Sequence, residues 1–172
     1  MLTEGGRARW LTAPEPRRRI RSTPVPVYIC PNCKQRSLDV DGFEGFTASE
    51  ALQCRRCGFG FVFQLLEDYY PAPATGFVVC DRDARVLAVG RGVFELTGFQ
   101  DRDLMGRDVT AAFSLSDDDA IAVVREWGVR KLGQQLELVT RAGIRKPVTV
   151  DLFPAYDGDG GLLVALTPRT SS

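Results

Sequence analysis

The sequence contains no histidine among its 172 residues. Imidazole is therefore missing both as a general base and as a metal ligand. The sequence also has no glycine-lysine-serine phosphate loop, and the stretch GRGVFEL lacks the glycine spacing of a dinucleotide-binding turn. From these absences we expect a protein without catalytic activity.

Long hydrophobic runs are missing as well. No stretch approaches the roughly 18 apolar residues of a membrane span. The N-terminal arginines are followed by prolines instead of the uninterrupted apolar segment of a secretory signal. We therefore expect a soluble protein of the reducing cytoplasm, with no membrane partner.

Cysteine is scarce but patterned, because four of the five cysteines form two CxxC motifs, CPNC and CRRC. In a reducing compartment such pairs usually hold metal rather than disulfides. The two-residue spacing lets a tight turn, or knuckle, direct both sulfurs at one ion, and two knuckles complete a tetrahedron. We predict one structural Zn2+ ion bound by Cys30, Cys33, Cys54 and Cys57.

The residues around the motifs fit this prediction. Gly58 suits the left-handed backbone that ends a knuckle, and Lys34, Arg55 and Arg56 offset the negative charge of four thiolates. Residues 27–66 resemble a zinc ribbon. A rubredoxin-like iron site is the alternative, although the second knuckle of rubredoxins characteristically carries proline and glycine where this chain has CRRCG.

Charge is distributed unevenly, although the net charge is zero. Residues 1–26 hold six arginines against two acidic residues and are rich in proline, which predicts a flexible basic arm. Residues 27–72 hold four basic and six acidic residues, which argues against a broad phosphate-binding surface on the ribbon. The arm is either a solvated tail or a nucleic-acid-binding element. Its candidate contacts are Arg17, Arg18, Arg19 and Arg21.

The second half alternates between strand and helix patterns. The proline-rich PAPATG predicts a linker, and two apolar runs around DRDA predict a hairpin. Three stretches predict helices, VFELTGF, DRDLMGRDVTAAF and SDDDAIAVVREWGVRKLG, the last with Asp117 in its first turn and Arg130 and Lys131 in its last. Three alternating stretches then predict strands.

Residues 74–169 resemble a PAS domain in the stretches VVCDRDARVLAVG, LTGFQDRDLMGRDV and RAGIRKPVTVDLFPAYDGDGGLLVAL. The resemblance implies a five-stranded antiparallel sheet with short helices crossing one face to form a cup. The expected fold class is α+β, a small all-β zinc ribbon followed by this PAS-like sheet. The predicted domains are a basic arm (1–26), the zinc ribbon (27–70), a linker (71–75), the PAS domain (76–169) and a tail (170–172).

PAS domains bind haem, flavin, small metabolites or only one another. A histidine-ligated haem is excluded because the chain has no histidine. In the light-sensing flavin branch a cysteine follows glycine-arginine-asparagine on one helix. The corresponding residues here are Gly106, Arg107, Asp108 and Val109. Since Val109 has no thiol, we expect no photoadduct-forming flavin.

The cup implied by the resemblance could hold an apolar metabolite or be filled by its own side chains. The second alternative is favoured, because apolar residues at helical and strand spacing are usually core. The candidate pocket residues are Phe94, Leu96, Phe99, Leu104, Val109, Phe113, Val124, Trp127, Val148 and Val150.

The stretch GFVVCD is apolar on both faces, with Phe77 and Val79 on one and Val78 and Cys80 on the other. Only one face can line the cup, so the other needs a cover. We predict that a second copy provides it, giving a homodimer with Val78, Cys80 and Leu163 as the candidate dimer face. The alternative cover is the chain's own segment FQLLEDYY. Cys80 is otherwise predicted to be a small buried hydrophobe.

Together these features predict a non-catalytic cytoplasmic regulatory protein. A PAS sensor or dimerisation domain is coupled to a zinc ribbon for signal-responsive interaction with a protein partner, with the transcription machinery as the expected setting. No output domain follows the PAS region, so the signal is expected to pass by contact. A nucleic-acid-binding regulator is the alternative, and a rubredoxin-like electron carrier is a third.

Overall fold

The computed structural model describes residues 27–37, 43–44, 53–60, 63–65, 68–116, 118–154 and 161–170. The predicted basic arm lies outside these residues, as does Asp117. The candidate nucleic-acid contacts that therefore lie outside are Arg17, Arg18, Arg19 and Arg21.

The N-terminal part consists of short antiparallel strands around the cysteines, and we call residues 27–70 the ribbon. Strand β1 (Val27–Ile29) lies between β2 (Arg36–Ser37) and β5 (Phe63–Leu65), and β3 (Phe43–Glu44) pairs with β4 (Gln53–Cys54). The β-branched and aromatic residues of β1 favour an extended backbone. Strands of two and three residues bury little surface, so the ribbon needs an additional cross-link to be stable.

The C-terminal part is a five-stranded sheet made of β6 (Gly76–Cys80), β7 (Val86–Val89), β8 (Lys131–Val139), β9 (Arg145–Pro154) and β10 (Leu162–Pro168). The strand order is β7-β6-β10-β9-β8, with every neighbouring pair antiparallel. The predicted sheet is thereby confirmed. Its first and last strands along the chain lie side by side, because Val78 pairs with Val164.

Four helices connect β7 to β8, where three were predicted. The stretch DRDLMGRDVTAAF divides in two because Gly106 has a left-handed φ of 74° and Asp108 forms a bridge with Arg85. Asp108 then caps the next helix by accepting a hydrogen bond from the Ala111 N–H at 2.9 Å. The helices are α1 (Arg91–Thr97), α2 (Asp101–Leu104), α3 (Val109–Phe113) and α4 (Asp118–Trp127).

Helix α4 ends earlier than predicted. Gly128 has a φ of 60° and its N–H donates to the Val124 carbonyl at 3.0 Å, which closes the helix at Trp127. The predicted placement of Arg130 and Lys131 in the last helical turn is wrong, because Arg130 lies beyond the helix and Lys131 begins β8. Among the described helices, none is long and apolar enough to cross a membrane.

The larger core lies between the helices and the inner face of the sheet. Val78, Leu162 and Val164 from the sheet pack there with Phe113 and Val124 from the helices, and all five are fully buried. Complete burial of one such side chain contributes roughly 1.5–3 kcal/mol. These five belong to a larger buried group, which we call the inner cluster and which also includes Cys80, Val93, Leu96, Leu104, Val109, Val148 and Val150.

A second core lies on the opposite face of the same sheet. Its members from the sheet are Phe77, Val79, Phe153, Leu163 and Ala165, and those from the ribbon are Ile29 and Phe63, with Phe59, Tyr69 and Ala88 packed against them. We call this group the outer cluster. The ribbon therefore covers the apolar part of the outer face. The remaining part, where Gln135 pairs with Thr149 and Glu137 with Pro147, is largely polar and needs no cover.

Candidate metal centre

The two CxxC motifs fold into turns of the same geometry. The Lys34 N–H donates to the Cys30 carbonyl at 2.8 Å, and the Gly58 N–H donates to the Cys54 carbonyl at 2.7 Å. Lys34 and Gly58 both have a left-handed backbone conformation, with φ of 59° and 73° respectively. The prediction for Gly58 is therefore confirmed. Lys34 adopts this backbone without the freedom of glycine, and its ammonium donates to the Pro73 carbonyl.

The turns bring the four predicted ligands together, with their sulfur atoms all within 4.8 Å of one another. Cys30 and Cys57 Sγ are 3.6 Å apart, and Cys33 and Cys54 Sγ are 3.7 Å apart. These separations are too long for disulfides, and all four thiols are free. A tetrahedral ion with Zn–S bonds of ~2.3 Å would place its sulfurs ~3.8 Å apart. The cluster has the size of a four-thiolate metal site.

The thiols differ in how readily they ionise. Burial raises the pKa of the Cys30 thiol strongly, and burial also raises the pKa of Cys33. Burial opposes ionisation of Cys57 as well, but hydrogen bonds from the Phe59 N–H, the Asn32 side chain and the neighbouring thiols outweigh it and lower the pKa of Cys57 to about 7. A divalent cation would deprotonate all the ligands, because thiolate coordination offsets the cost of burying their charge.

Asn32, inside the first knuckle, links the sulfur cluster to the PAS-like part. Its Nδ2 lies 3.6 Å from the Cys57 sulfur as a donor, while its Oδ1 accepts a hydrogen bond from the Arg91 N–H at 3.1 Å. Arg91 is the first residue of α1. Next to this contact, a Cβ on Gly90 would collide with the Pro31 carbonyl oxygen, so the knuckle and the start of α1 pack backbone to backbone.

The donor set fits zinc. Four cysteine sulfurs, two buried and two half-buried, would fill the tetrahedral coordination shell of a zinc ion. The hydrogen bonds of the knuckle backbone and of Asn32 orient the sulfurs from outside the coordination shell. A metal ion bound there would cross-link the two knuckles of the ribbon.

The predicted pocket residues separate into two groups. Phe94 and Trp127 are 53% and 73% exposed, so they do not line the interior. Phe99 packs against the inner cluster and stacks edge-on to Phe113 at 6.0 Å between ring centroids. The others are buried members of the inner cluster, where they pack against one another: Leu96, Leu104, Val109, Phe113, Val124, Val148 and Val150.

The predicted dimer face does not form one surface. Val78 and Cys80 belong to the inner cluster, so their assignment to the outer face is wrong. Leu163 does point outward, but it is fully buried in the outer cluster under the ribbon. The alternative cover, the chain's own segment FQLLEDYY, is represented there by Phe63 and Tyr69.

Tyr69 anchors this cover through polar as well as apolar contacts. Its ring packs edge-on against Phe153 at 4.6 Å, and its hydroxyl donates to the Asp151 carboxylate at 2.9 Å. Burial, and then the charge of Asp151, raises the pKa of Tyr69. Near it, Arg130 forms an ion pair with Asp68 at 3.1 Å. The ribbon is therefore attached to the PAS-like part at two places, to helix α1 through Asn32 and to strand β9 through Tyr69.

No protein-family model and no curated protein matches this sequence. Solved structures do match. A fungal LOV-domain photoreceptor, described as integrating blue light and oxidative stress, has a TM-score of 0.51 at 16% identity, with 61% of this chain and 81% of that chain covered. This likeness shows the fold, and the five-stranded part of the chain has the PAS fold.

Two further matches are bacterial. The PAS domain of a protein from Colwellia psychrerythraea has a TM-score of 0.47 at 18% identity, covering 56% of this chain and 87% of that chain. The PAS domain of nitrogen regulation protein NR(II) from Vibrio parahaemolyticus has a TM-score of 0.49 at 12% identity, covering 56% and 91%.

Val109, which the PAS resemblance aligns with the reactive cysteine of light-sensing flavin proteins, is the fully buried first residue of α3. The preceding Asp108 is used as the cap of that helix. Both side chains therefore have structural roles at this position.

Sequence reasoning missed Asn32 and Gly90. An amide between the two cysteines of a knuckle is a usable signal, because a short polar side chain there can reach a ligand sulfur. Gly90 gives no such signal, since its role depends on the approach of the ribbon from sixty residues earlier in the chain.

Proposed function

We propose that this chain is a non-catalytic regulatory protein in which a zinc ribbon and a PAS sensor module act as one unit and pass a signal to a protein partner by contact. The reducing cytoplasm is the proposed location, because the four clustered cysteines are free thiols. The transcription machinery is the proposed setting, since zinc ribbons are common there.

The observation that carries this proposal is the double contact of Asn32. One end of its amide touches a ligand of the metal centre, and the other end holds the first N–H of α1. Helix α1 also places Val93 and Leu96 in the inner cluster. A change of packing inside the PAS module would therefore move the helix that contacts the metal centre. Metal binding would in turn change the stability of the module by the same coupling free energy.

A thermodynamic cycle tests this coupling. Thermal unfolding of the PAS sheet is measured with and without zinc in the wild type and in Asn32→Ala. We expect zinc to raise the unfolding midpoint of the sheet in the wild type and to raise it clearly less in the variant, because the amide connection is lost.

Gln35→Ala is the matched control, since it removes another amide side chain from the same knuckle. An equal effect of zinc in all three proteins would contradict the proposal. Native mass spectrometry of the same samples reports the bound metal directly, and a red ferric form would favour the electron carrier instead.

Homodimerisation stays a prediction without an assigned surface. The apolar face that motivated it is covered by the ribbon of the same chain, through Ile29 and Phe63.

A further inference from the structure

A groove runs along the junction between the ribbon and α1. One part, of about 450 Å³, is bordered by Lys34, Arg91 and Lys146. A second part, of about 400 Å³, continues past the metal centre to Arg56. Because both parts share Lys34, Arg91 and Gly92, they form one continuous depression, which we call the junction groove.

The junction groove concentrates positive charge. Lys34 and Arg56 come from the two knuckles, Arg91 from α1 and Lys146 from β9. Glu95 is the one carboxylate among the lining residues. Burial lowers the pKa of Lys34, and the charge of Glu95 opposes this shift only in part. Within the described part of the chain, none of the four cations is in an ion pair.

These cations still have donors to offer. The Lys34 ammonium donates to the Pro73 carbonyl and the Lys146 ammonium to the Leu96 carbonyl at 2.8 Å, which fixes both heads at the groove while leaving each two further N–H groups. Arg91 is exposed at the centre, where both parts of the groove meet. Guanidinium and ammonium groups that line one groove can together donate to the several oxygens of a phosphate.

Apolar residues also line the groove. Pro73, Leu96 and Pro168 border the same part as Lys34 and Lys146, whose ammonium groups donate to the Pro73 and Leu96 carbonyls. A site in which cations and aliphatic side chains lie side by side fits an organic anion better than an inorganic one. Its volume lies in the range of small-molecule sites. The four cations outnumber the negative charges of Glu95 and of a zinc-bound four-thiolate centre, whose net charge would be −2, so a small positive excess is left. This excess favours an anion such as a phosphomonoester.

We propose that the junction groove binds an organic phosphate, with the phosphate at Lys34 and Arg91 and the organic part against Pro73 and Pro168. Such a ligand would contact the ribbon and the PAS module together. Its binding therefore stabilises the docked arrangement, and this site lies outside the PAS cup. The inference goes beyond the proposed function and does not depend on the contact made by Asn32.

The test uses the zinc-loaded full chain and three probes, AMP, inorganic phosphate and a short single-stranded oligothymidylate, titrated by calorimetry at one low ionic strength. We expect AMP to bind saturably and more tightly than inorganic phosphate. Arg91→Glu should weaken AMP binding about tenfold or more, because it replaces a charge-assisted hydrogen bond with repulsion. Lys34→Asn should weaken it as well, and asparagine tolerates the left-handed backbone at this position.

Arg102→Glu is the matched control, an exposed helical arginine outside the groove, and it should leave binding unchanged. Tighter binding of the oligonucleotide with the same dependence on Arg91 would support the site and make a nucleic-acid strand the source of the phosphate. The proposal is overturned if no probe binds saturably up to roughly 1 mM, the weak end of specific affinity. It is also overturned if binding is equal in the wild type and in both groove variants.

Discussion

The two faces of the five-stranded sheet are both apolar along β6 and β10, but they are covered by different means. The inner face is covered by four helices that continue the same domain and supply large side chains such as Leu104 and Phe113. The outer face is covered by the ribbon, whose described strands have two or three residues each. The inner cover can form from burial alone, whereas we expect the outer cover to depend on a bound metal ion to hold its shape.

The largest expected effect comes from removing the metal. Chelation or Cys54→Ser should unfold the ribbon, because binding of structural zinc is worth on the order of 10 kcal/mol to such a module. The PAS sheet should keep its far-ultraviolet circular dichroism, while its uncovered outer face should bind a hydrophobic dye such as ANS. Cys80→Ala, which removes the cysteine outside the cluster, is the control and should retain one zinc per chain. An ordered ribbon in metal-free protein would contradict the expected dependence of the outer cover on metal.

A smaller but global effect is expected from the inner face. Phe113→Ala should lower the free energy of unfolding of the PAS module by about 3–5 kcal/mol, since it empties the centre of the inner cluster. Denaturant unfolding monitored by circular dichroism measures this loss. The loss should be equal in zinc-loaded and metal-free protein. A loss that disappears on chelation would mean that the inner cover also depends on the metal.

Substitutions on the outer face should change stability only when zinc is bound, unlike those on the inner face. Phe63→Ala should destabilise the zinc-loaded protein by about 2 kcal/mol, because the ring packs in the outer cluster. In metal-free protein the same change should cost almost nothing, since the ribbon has already left the sheet. Phe94→Ala is the matched control, and its exposed ring should change stability by no more than about 0.5 kcal/mol. If Phe63→Ala lowered the free energy of unfolding equally with and without zinc, the ribbon would cover the sheet independently of the metal.

The smallest effect concerns the cap of α3 and depends on pH. Burial opposes ionisation of Asp108, but hydrogen bonds from Thr110 and Ala111 outweigh it and hold its pKa below the ordinary 3.8. The stabilisation is therefore present above that value and is lost as the pH falls through the lower pKa of the folded state. Asp108→Ala should cost about 1 kcal/mol at neutral pH and less in acid. Asp108→Asn should retain most of the stabilisation by the cap. If the stability loss of Asp108→Ala did not depend on pH, the charge of the carboxylate could not be the source of that stabilisation.

Much of this arrangement is local and could be predicted from sequence. The CxxC spacing predicted which four cysteines would meet, and Gly58 predicted the left-handed end of the second knuckle. Alternation in the strands and the PAS resemblance predicted the five-stranded sheet. These features depend on neighbours in the chain or on a pattern repeated along it.

The errors came from contacts between distant parts of the chain. A strand that is apolar on both faces shows that both will be buried, but not which face meets the helices, so Val78 and Cys80 were assigned to the wrong one. The identity of the outer cover was open for the same reason. Only the packing of Phe63 and Tyr69 on Phe153 decides between the ribbon and a second copy. Helix α4 was predicted too long because the left-handed turn at Gly128 ends it before its basic residues.

Contacts across the outer face show whether the ribbon covers the sheet only when zinc is bound. Nuclear Overhauser effects can be measured between the ribbon members Ile29 and Phe63 and the methyl groups of Val79 and Leu163, before and after chelation of zinc. We expect clear cross-peaks in the zinc-loaded protein and their disappearance in the metal-free protein, while effects among inner-cluster methyl groups persist. Cross-peaks that survive chelation, or that are absent from the zinc-loaded protein, would contradict a metal-held cover over the sheet.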